Sequence, residues 1–327
     1  MKRRRLLALI AAVHLAGRVT VLRAQPVRAA MPLIGVLLFG TAPSGSSPDP
    51  SAGFRQGLRE LGYADGDNLV VEYRYADGRP DRLAAFAAEF VQRKVDLIVT
   101  GGPGPLQEAR KATRTIPIVA LGGSDPISEG WAQSLARPGG NVTGLTVTFP
   151  ELGPKRLQVF GEVVPGLARV AVLIAPAETL GSGLEAGARA LGLTLQLLEI
   201  SGPKDFEAAF QRAQQGRAQG VYAISTNTIV TYRSRLAELS VNYRLPSIGD
   251  FSLMAEAGFL MSYGADLNAL GRRAATYVDK ILRGARPGDL PIERPTEFEL
   301  VINKETARVL GMMLPQATLL RASRVIE

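Results

Sequence analysis

The chain reads as a two-lobed α/β protein built on largely parallel sheets. Its 327 residues exceed one ordinary core and suit two domains of about 150 residues each. From Met31 onward, short β-branched apolar runs alternate with helix-periodic stretches, the pattern of βαβ units. That rhythm is played twice, with a sharp stop at Pro138-Gly139-Gly140 near the midpoint. Hydrophobic content of 46% with 21% charged residues is that of a globular protein.

In chain order, the first half predicts strand Leu33 to Leu38, helix Gly53 to Leu61, strand Leu69 to Tyr73, helix Asp81 to Arg93 and strand Val95 to Thr100. Helix Pro105 to Thr113, strand Ile116 to Leu121 and helix Ile127 to Ala136 follow. The second half predicts helix Pro154 to Val163, strand Arg169 to Ala175, helix Leu184 to Leu191, strand Thr194 to Ile200, helix Asp205 to Gln214, strand Gly220 to Ser225 and helix Ile229 to Tyr243. Strands Leu245 to Gly249 and Gly258 to Tyr263, helix Leu267 to Leu282, a Gly/Pro-rich loop to Pro291, strand Phe298 to Ile302 and helix Lys304 to Leu310 complete the reading. In each half the helix after the first strand ends in Leu-Gly, at Leu61-Gly62 and Leu191-Gly192, where glycine suits a left-handed cap. The elements after Tyr243 fit a late return to the first lobe and a third crossing. Gly139, Gly140 and Asn141, at a helix end before the run Val142 to Phe149, supply the rotation a hinge needs.

The net charge of +8 invites a nucleic-acid partner, but its placement argues against one. Lys2, Arg3, Arg4, Arg5, Arg18 and Arg23 hold six of those charges, leaving a nearly neutral body. With the apolar run Leu6 to Gly17 and small residues near Ala24 and Ala29-Ala30, residues 1–30 have the form of a cleavable export signal. Twelve apolar residues are too few to span a bilayer. Arg18 and Arg23 sit where a signal is usually neutral, and Met31 as an alternative start gives a cytoplasmic protein.

The chain contains no cysteine, and its one histidine, His14, lies in the signal-like segment. Ser-His-Asp and Cys-His catalysis and the usual zinc sites are thereby excluded from the body, and no cofactor or metal is expected. The stretch Gly40 to Ser47, GTAPSGSS, nearly spells a phosphate loop but has Ser46 where the lysine must stand.

In open α/β sheets ligands lie at the carboxyl ends of the strands. Those ends carry Gly40-Thr41, Thr100-Gly101-Gly102 and Ser124-Asp125 in the first half, and Ser225-Thr226-Asn227 and Asp250 in the second. Such loops present backbone N–H groups to anions, though the same residues serve as ordinary caps. Asp125 and Asp250 each follow a strand directly, where a carboxylate accepts hydrogen bonds from a ligand ammonium or simply caps a helix. Tyr263 is expected where a lobe-crossing strand ends. Trp131, with Leu135 four residues on, reads as packing, and Arg233 and Arg235 as solvated helix faces.

The segments FRQGLRELGYADGDNLVVEYRYADGRPDRL, SDPISEGWAQSLARPGGNVTG, ELGPKRLQVFGEVVP and FELVINKETARVLGMMLP carry a resemblance. The chain resembles the substrate-binding proteins of ABC transporters, of the type I periplasmic-binding group that includes tryptophan and tyrosine binders. The resemblance implies two Rossmann-like lobes joined by three hinge crossovers. It implies a signal at 1–30, a first lobe of 31–143 plus about 263–292, and a second of 144–262 plus about 293–327. It further implies a monomer in the periplasm that closes on an amino acid or related organic acid and meets an inner-membrane ABC permease. The strand-end loops would face the cleft. The same clamp could instead serve as a sensor presenting its closed form to a receptor. A transcription regulator lacks its helix-turn-helix, and an enzyme would need carboxylate or lysine chemistry, for which no close acid pair or isolated lysine stands out.

Overall fold

A computed structural model of the chain describes residues 31–43, 51–123, 125–147, 151–176 and 182–327. The expected export signal, Ser124 and the second half of the GTAPSGSS stretch, Ser44 to Ser47, lie outside them. No helix among the described residues is long and apolar enough to cross a membrane.

Five parallel strands form the first sheet: β1 (Leu33–Leu38), β2 (Val70–Tyr75), β3 (Leu97–Gly101), β4 (Ile118–Gly123) and β5 (Val142–Thr146), in the order β2-β1-β3-β4-β5. Helices α1 (Ala52–Glu60), α2 (Pro80–Gln92) and α3 (Pro103–Ala112) make the crossovers that parallel pairing requires. Strand β3, covered on both faces, is a continuous apolar run, whereas the edge strand β2 is half-buried throughout and mixes Glu72 and Arg74 with its apolar residues.

The second lobe begins with α4 (Leu152–Val163) and continues β6 (Arg169–Ile174), α5 (Ser182–Ala190), β7 (Thr194–Glu199), α6 (Pro203–Gln215) and β8 (Gly220–Ala223). Next come α7 (Asn227–Thr231), α8 (Arg233–Asn242), β9 (Ser247–Gly249), α9 (Ser252–Glu256) and β10 (Met261–Ala265). Helix α10 (Leu267–Leu282) then returns to pack on the first lobe. After it β11 (Phe298–Asn303), α11 (Lys304–Val309), α12 (Gln316–Arg321) and β12 (Arg324–Ile326) rejoin the second. The seven-stranded sheet runs β12-β11-β10-β9-β8-β6-β7, with β11 antiparallel to β10 and all other pairs parallel.

The expected left-handed caps are present: Gly62 and Gly192 have φ of 85° and 69°. Helix α10 occupies the expected span, started by the Asp266 carboxylate accepting from the N–H groups of Asn268 and Ala269. Three expectations are corrected. Residues Ile127 to Ala136 form turns instead of a helix, because Gly130 takes φ of 65° and the N–H groups of Trp131 and Ala132 both fold back on the Pro126 carbonyl. Trp131 is nevertheless buried, as expected, against a core with Leu135 at its margin. The stretch Ile229 to Tyr243 is two helices, broken at Tyr232, whose ring packs edge-on to Phe206 at 5.7 Å.

The third correction concerns the hinge. Gly139, Gly140 and Asn141 lead into β5, which pairs with β4 inside the first sheet. Gly139 donates to the Gly288 carbonyl and the Asn141 side chain to that of Ile116, so this segment is pinned at the base of the lobe. The chain leaves the first sheet after β5, beyond the expected 143/144 boundary. It returns between Ala265 and α10, because β10 stays in the second sheet through Ala265. The last passage lies between Glu293, hydrogen-bonded to Gly144 and Thr146, and the start of β11. Asp266 N–H donates to the Glu297 carbonyl, tying the second and third passages together.

Helix α10 is held by a close crossing with α1. A Cβ on Gly57 would come within 2.8 Å of Arg272 Cα and Ala275 Cβ, so only glycine lets Phe54 and Leu58 reach the core they share with Tyr277 and Val278. Gly57→Val is expected to cost roughly 1–3 kcal/mol of stability through overpacking, read as a lowered urea midpoint. Gly161→Ala on α4, with nothing within 4 Å of the added carbon, is expected to gain about 0.4–1 kcal/mol.

Candidate functional site

The carboxyl ends of β1, β2 and β3 meet α7 of the second lobe. A Cβ on Gly104 would lie 2.5 Å from Asn227 Nδ2, and one on Gly102 would lie 2.8 Å from Asn227 Oδ1. The amide of Asn227 is thus laid against bare backbone of the other lobe. Thr231 and Tyr232 approach Gly78 at 3.5 and 3.4 Å from the same kind of added carbon, and Thr231 approaches Gly40 at 3.8 Å. Gly102 has φ of 94°, a left-handed turn that brings the chain from β3 into α3.

Around this junction stand polar atoms without partners. Thr100 Oγ1, at the end of β3, and Ser225 Oγ, just past β8, are both buried and make no hydrogen bond. Buried hydroxyls left unpaired cost free energy. Thr226 caps α7, accepting from Ile229 N–H at 3.3 Å. The structure therefore groups Gly40, Thr100, Gly101, Gly102, Ser225, Thr226 and Asn227 at the facing strand ends, with Thr41 exposed beside Gly40.

Asp125 stays with its own loop. Its Oδ1 accepts from Ser128 and Ile127 N–H at 2.8 and 3.0 Å, the capping role. The Ser128 N–H bond is the main cause that holds its pKa below the usual carboxylate value; burial opposes it, and the Ile127 bond, the Ser128 hydroxyl and the Arg294 charge add to the lowering. Asp250 is held within its own lobe. Its carboxylate turns into the second lobe, where Oδ1 accepts from the Tyr222 hydroxyl at 2.9 Å and pairs with Arg156 Nε at 3.1 Å, and Oδ2 accepts from Ser225 N–H at 2.7 Å. Tyr263 is likewise turned inward, half-buried against the core beneath α4, and its carbonyl accepts from Arg156 Nε at 2.7 Å.

Arg156 is the residue the sequence reading missed, and a signal for it existed. It occupies the buried face of α4 with Leu152, Val159, Phe160 and Val163, a cation on an apolar stripe that needs a buried acid. Burial alone would lower its pKa, yet the Asp250 charge and the Tyr222 phenol outweigh burial and raise it. The Tyr222 hydroxyl is pushed up, chiefly by burial. Arg233 is also corrected: it is half-buried with Nε unpartnered, its pKa lowered by burial, while Arg235 pairs at the surface with Glu238 and Glu207 as expected.

A groove of about 390 Å³ opens elsewhere, over the second and third passages, between Glu60, Leu145, Asp266, Arg273 and Glu293. Arg273 and Glu293 are bonded to each other across it, and it lies away from the strand ends. No group of three or more His, Asp or Glu among the described residues is placed to hold a metal ion.

The family sequence model for ABC transporter substrate binding proteins matches residues 43–326. The chain belongs to that family. Among its relatives, the tyrosine-binding protein of Clostridioides difficile (strain R20291) is 27% identical over 264 residues, covering 80% of this chain and 76% of that protein. A conserved domain protein from Vibrio cholerae O1 biovar El Tor str. N16961 superimposes with a TM-score of 0.81 at 28% identity, covering 90% of this chain and 99% of that one. An ABC domain from Streptococcus pneumoniae solved with L-Trp shares the fold with the same TM-score and coverage at 24% identity. As expected, the fold is that of the type I periplasmic binding proteins. In this family member Asp125→Ala is expected to cost about 1 kcal/mol at neutral pH. Because the folded pKa is depressed, that contribution is full above about 3.9, the unfolded value, and fades as pH falls through the folded one. Urea unfolding of wild type and variant at neutral pH and near pH 3 checks it.

Proposed function

We propose that this protein is the substrate-binding component of an ABC importer, closing its two lobes on an amino acid or related small organic acid. The observation that carries the reading is the junction itself: α7 of one lobe seated on the glycine-lined strand ends of the other, with the Thr100 and Ser225 hydroxyls buried and unpartnered beside it. Gly40, Thr41, Gly101, Gly102, Thr226 and Asn227 complete the binding surface. Relatedness to a tyrosine-binding protein supports an amino-acid ligand. Family membership supports a partner permease and work outside the cytoplasm after export by the N-terminal segment. Closure is a population shift: a ligand touching both lobes favours the closed form by its differential affinity.

Thermal unfolding against L-tyrosine, L-tryptophan, other amino acids and small organic acids tests this. A ligand present at about 100 times its Kd adds roughly 2.7 kcal/mol, enough to raise the midpoint by several degrees. The expected outcome is a selective rise for one ligand class; no rise with any compound would count against the reading. Gly104→Val, which drives a side chain into Asn227, is expected to weaken the responding ligand at least tenfold, as measured by calorimetry.

A further inference from the structure

Arg156, Tyr222 and Asp250 enclose one another. Arg156 and Asp250 are each only 10% exposed at the side chain, and Tyr222 is 2% exposed. Arg156 Nη1 donates to the Tyr222 hydroxyl at 3.2 Å, that hydroxyl donates to Asp250 Oδ1, and Arg156 Nε faces both Asp250 Oδ1 and the Tyr263 carbonyl. Stability alone is a poor reason for such a group. Removing two charges from water costs several kcal/mol per ion, and apolar replacements of similar volume are often neutral or better.

What the group does achieve is placement. Asp250 Oδ2 holds the N–H of Ser225, in the short loop from β8 to α7 that leads to Asn227 and its contact with Gly102 and Gly104. Arg156, on the helix that follows the first passage between lobes, holds the carbonyl of Tyr263, two residues before the strand end that opens the second passage. Gly264 closes over the Asp250 backbone carbonyl so tightly that a side chain there would collide with it. One buried group therefore grips a loop at the junction of the lobes and the backbone around which the lobes must rotate.

We propose that Arg156, Asp250 and Tyr222 are positioning residues that fix the Ser225–Asn227 loop against the β10–α10 passage, setting the register in which α7 meets the first lobe. The consequence for ligand affinity rests on the importer reading above; the consequence for the loop does not. The test compares the full chain with the paired variant Arg156→Met/Asp250→Leu, which leaves no unmatched buried charge, and with Asp250→Leu alone. Amide hydrogen exchange is followed over residues 225–232 and over α6 as an internal control, and urea unfolding is measured alongside. The paired variant is expected to recover a urea midpoint at or above that of Asp250→Leu. Its 225–232 amides should still exchange at least tenfold faster than wild type while α6 is unchanged. L-tyrosine and L-tryptophan serve as probes, and whichever binds the wild type should bind the paired variant at least tenfold more weakly. Wild-type exchange at 225–232 in the paired variant would reduce the group to a stabiliser and overturn the proposal. If neither probe binds the wild type but the loop exchange rises, the positioning role stands and it is the amino-acid ligand that fails. Should the paired variant not fold, Tyr222→Phe, which keeps the ring and removes only the hydroxyl, decides by the same comparison: severalfold faster loop exchange upholds the proposal and unchanged exchange overturns it.

Discussion

Parallel pairing is the constraint from which the rest of this structure follows. Each parallel strand must be reached by a crossover, so every βα loop of a sheet emerges on one edge, the carboxyl edge. Two such sheets in one chain, with those edges turned toward each other, create a junction lined by strand-end loops and the short helix α7. The shared α1–α10 crossing keeps the returning helix on the first lobe, and the antiparallel strand β11 lets the chain re-enter the second sheet at the flank of β10. Covalent connection through three passages then limits the motion between lobes to rotation about those passages.

Charge is distributed to suit that design. Most ion pairs lie at the surface, as with Arg79 and Asp81 or Arg308 and Glu305, where solvent screening leaves them worth little. The most buried pair among the described residues is Arg156 with Asp250, beneath the loop that holds Ser225. A buried pair of this kind is tolerated only when its remaining hydrogen-bonding capacity is met, and here Tyr222, Ser225 and Tyr263 meet it. Among the described residues, the buried hydroxyls of Thr100 and Ser225, at strand ends of the two lobes, meet no protein group, as is also true of Ser262 within β10.

The legible part of the sequence was its periodicity. Helix α10 announced itself by a long helix-periodic stretch, and β1 and β3 by short apolar runs, because those signals come from burial patterns repeated along one element. The stretch after Asp125 misled for the same reason: Ile127, Trp131 and Leu135 have helical spacing, but Gly130 and the Pro126 carbonyl turn the backbone another way. The Gly139-Gly140 pair looked like a hinge and is an anchored turn, because only pairing with β4 shows on which side of the passage β5 belongs.

The sequence by itself determined the class of the protein. Alternating apolar runs specify a parallel α/β architecture, the absence of cysteine and of any histidine beyond His14 removes whole chemistries, and the strand-end glycines and hydroxyls mark one edge of each sheet. Which polar residue serves the ligand and which the fold was decided only in three dimensions. Asp125 and Asp250 occupy equivalent places in the two halves, yet one caps its own turn and the other neutralises an arginine 94 positions away in the chain. Local sequence encodes backbone propensity and burial, whereas the partner of a charge is chosen by packing between elements distant in the chain, and so Arg156 could suggest that a buried acid existed without saying which one.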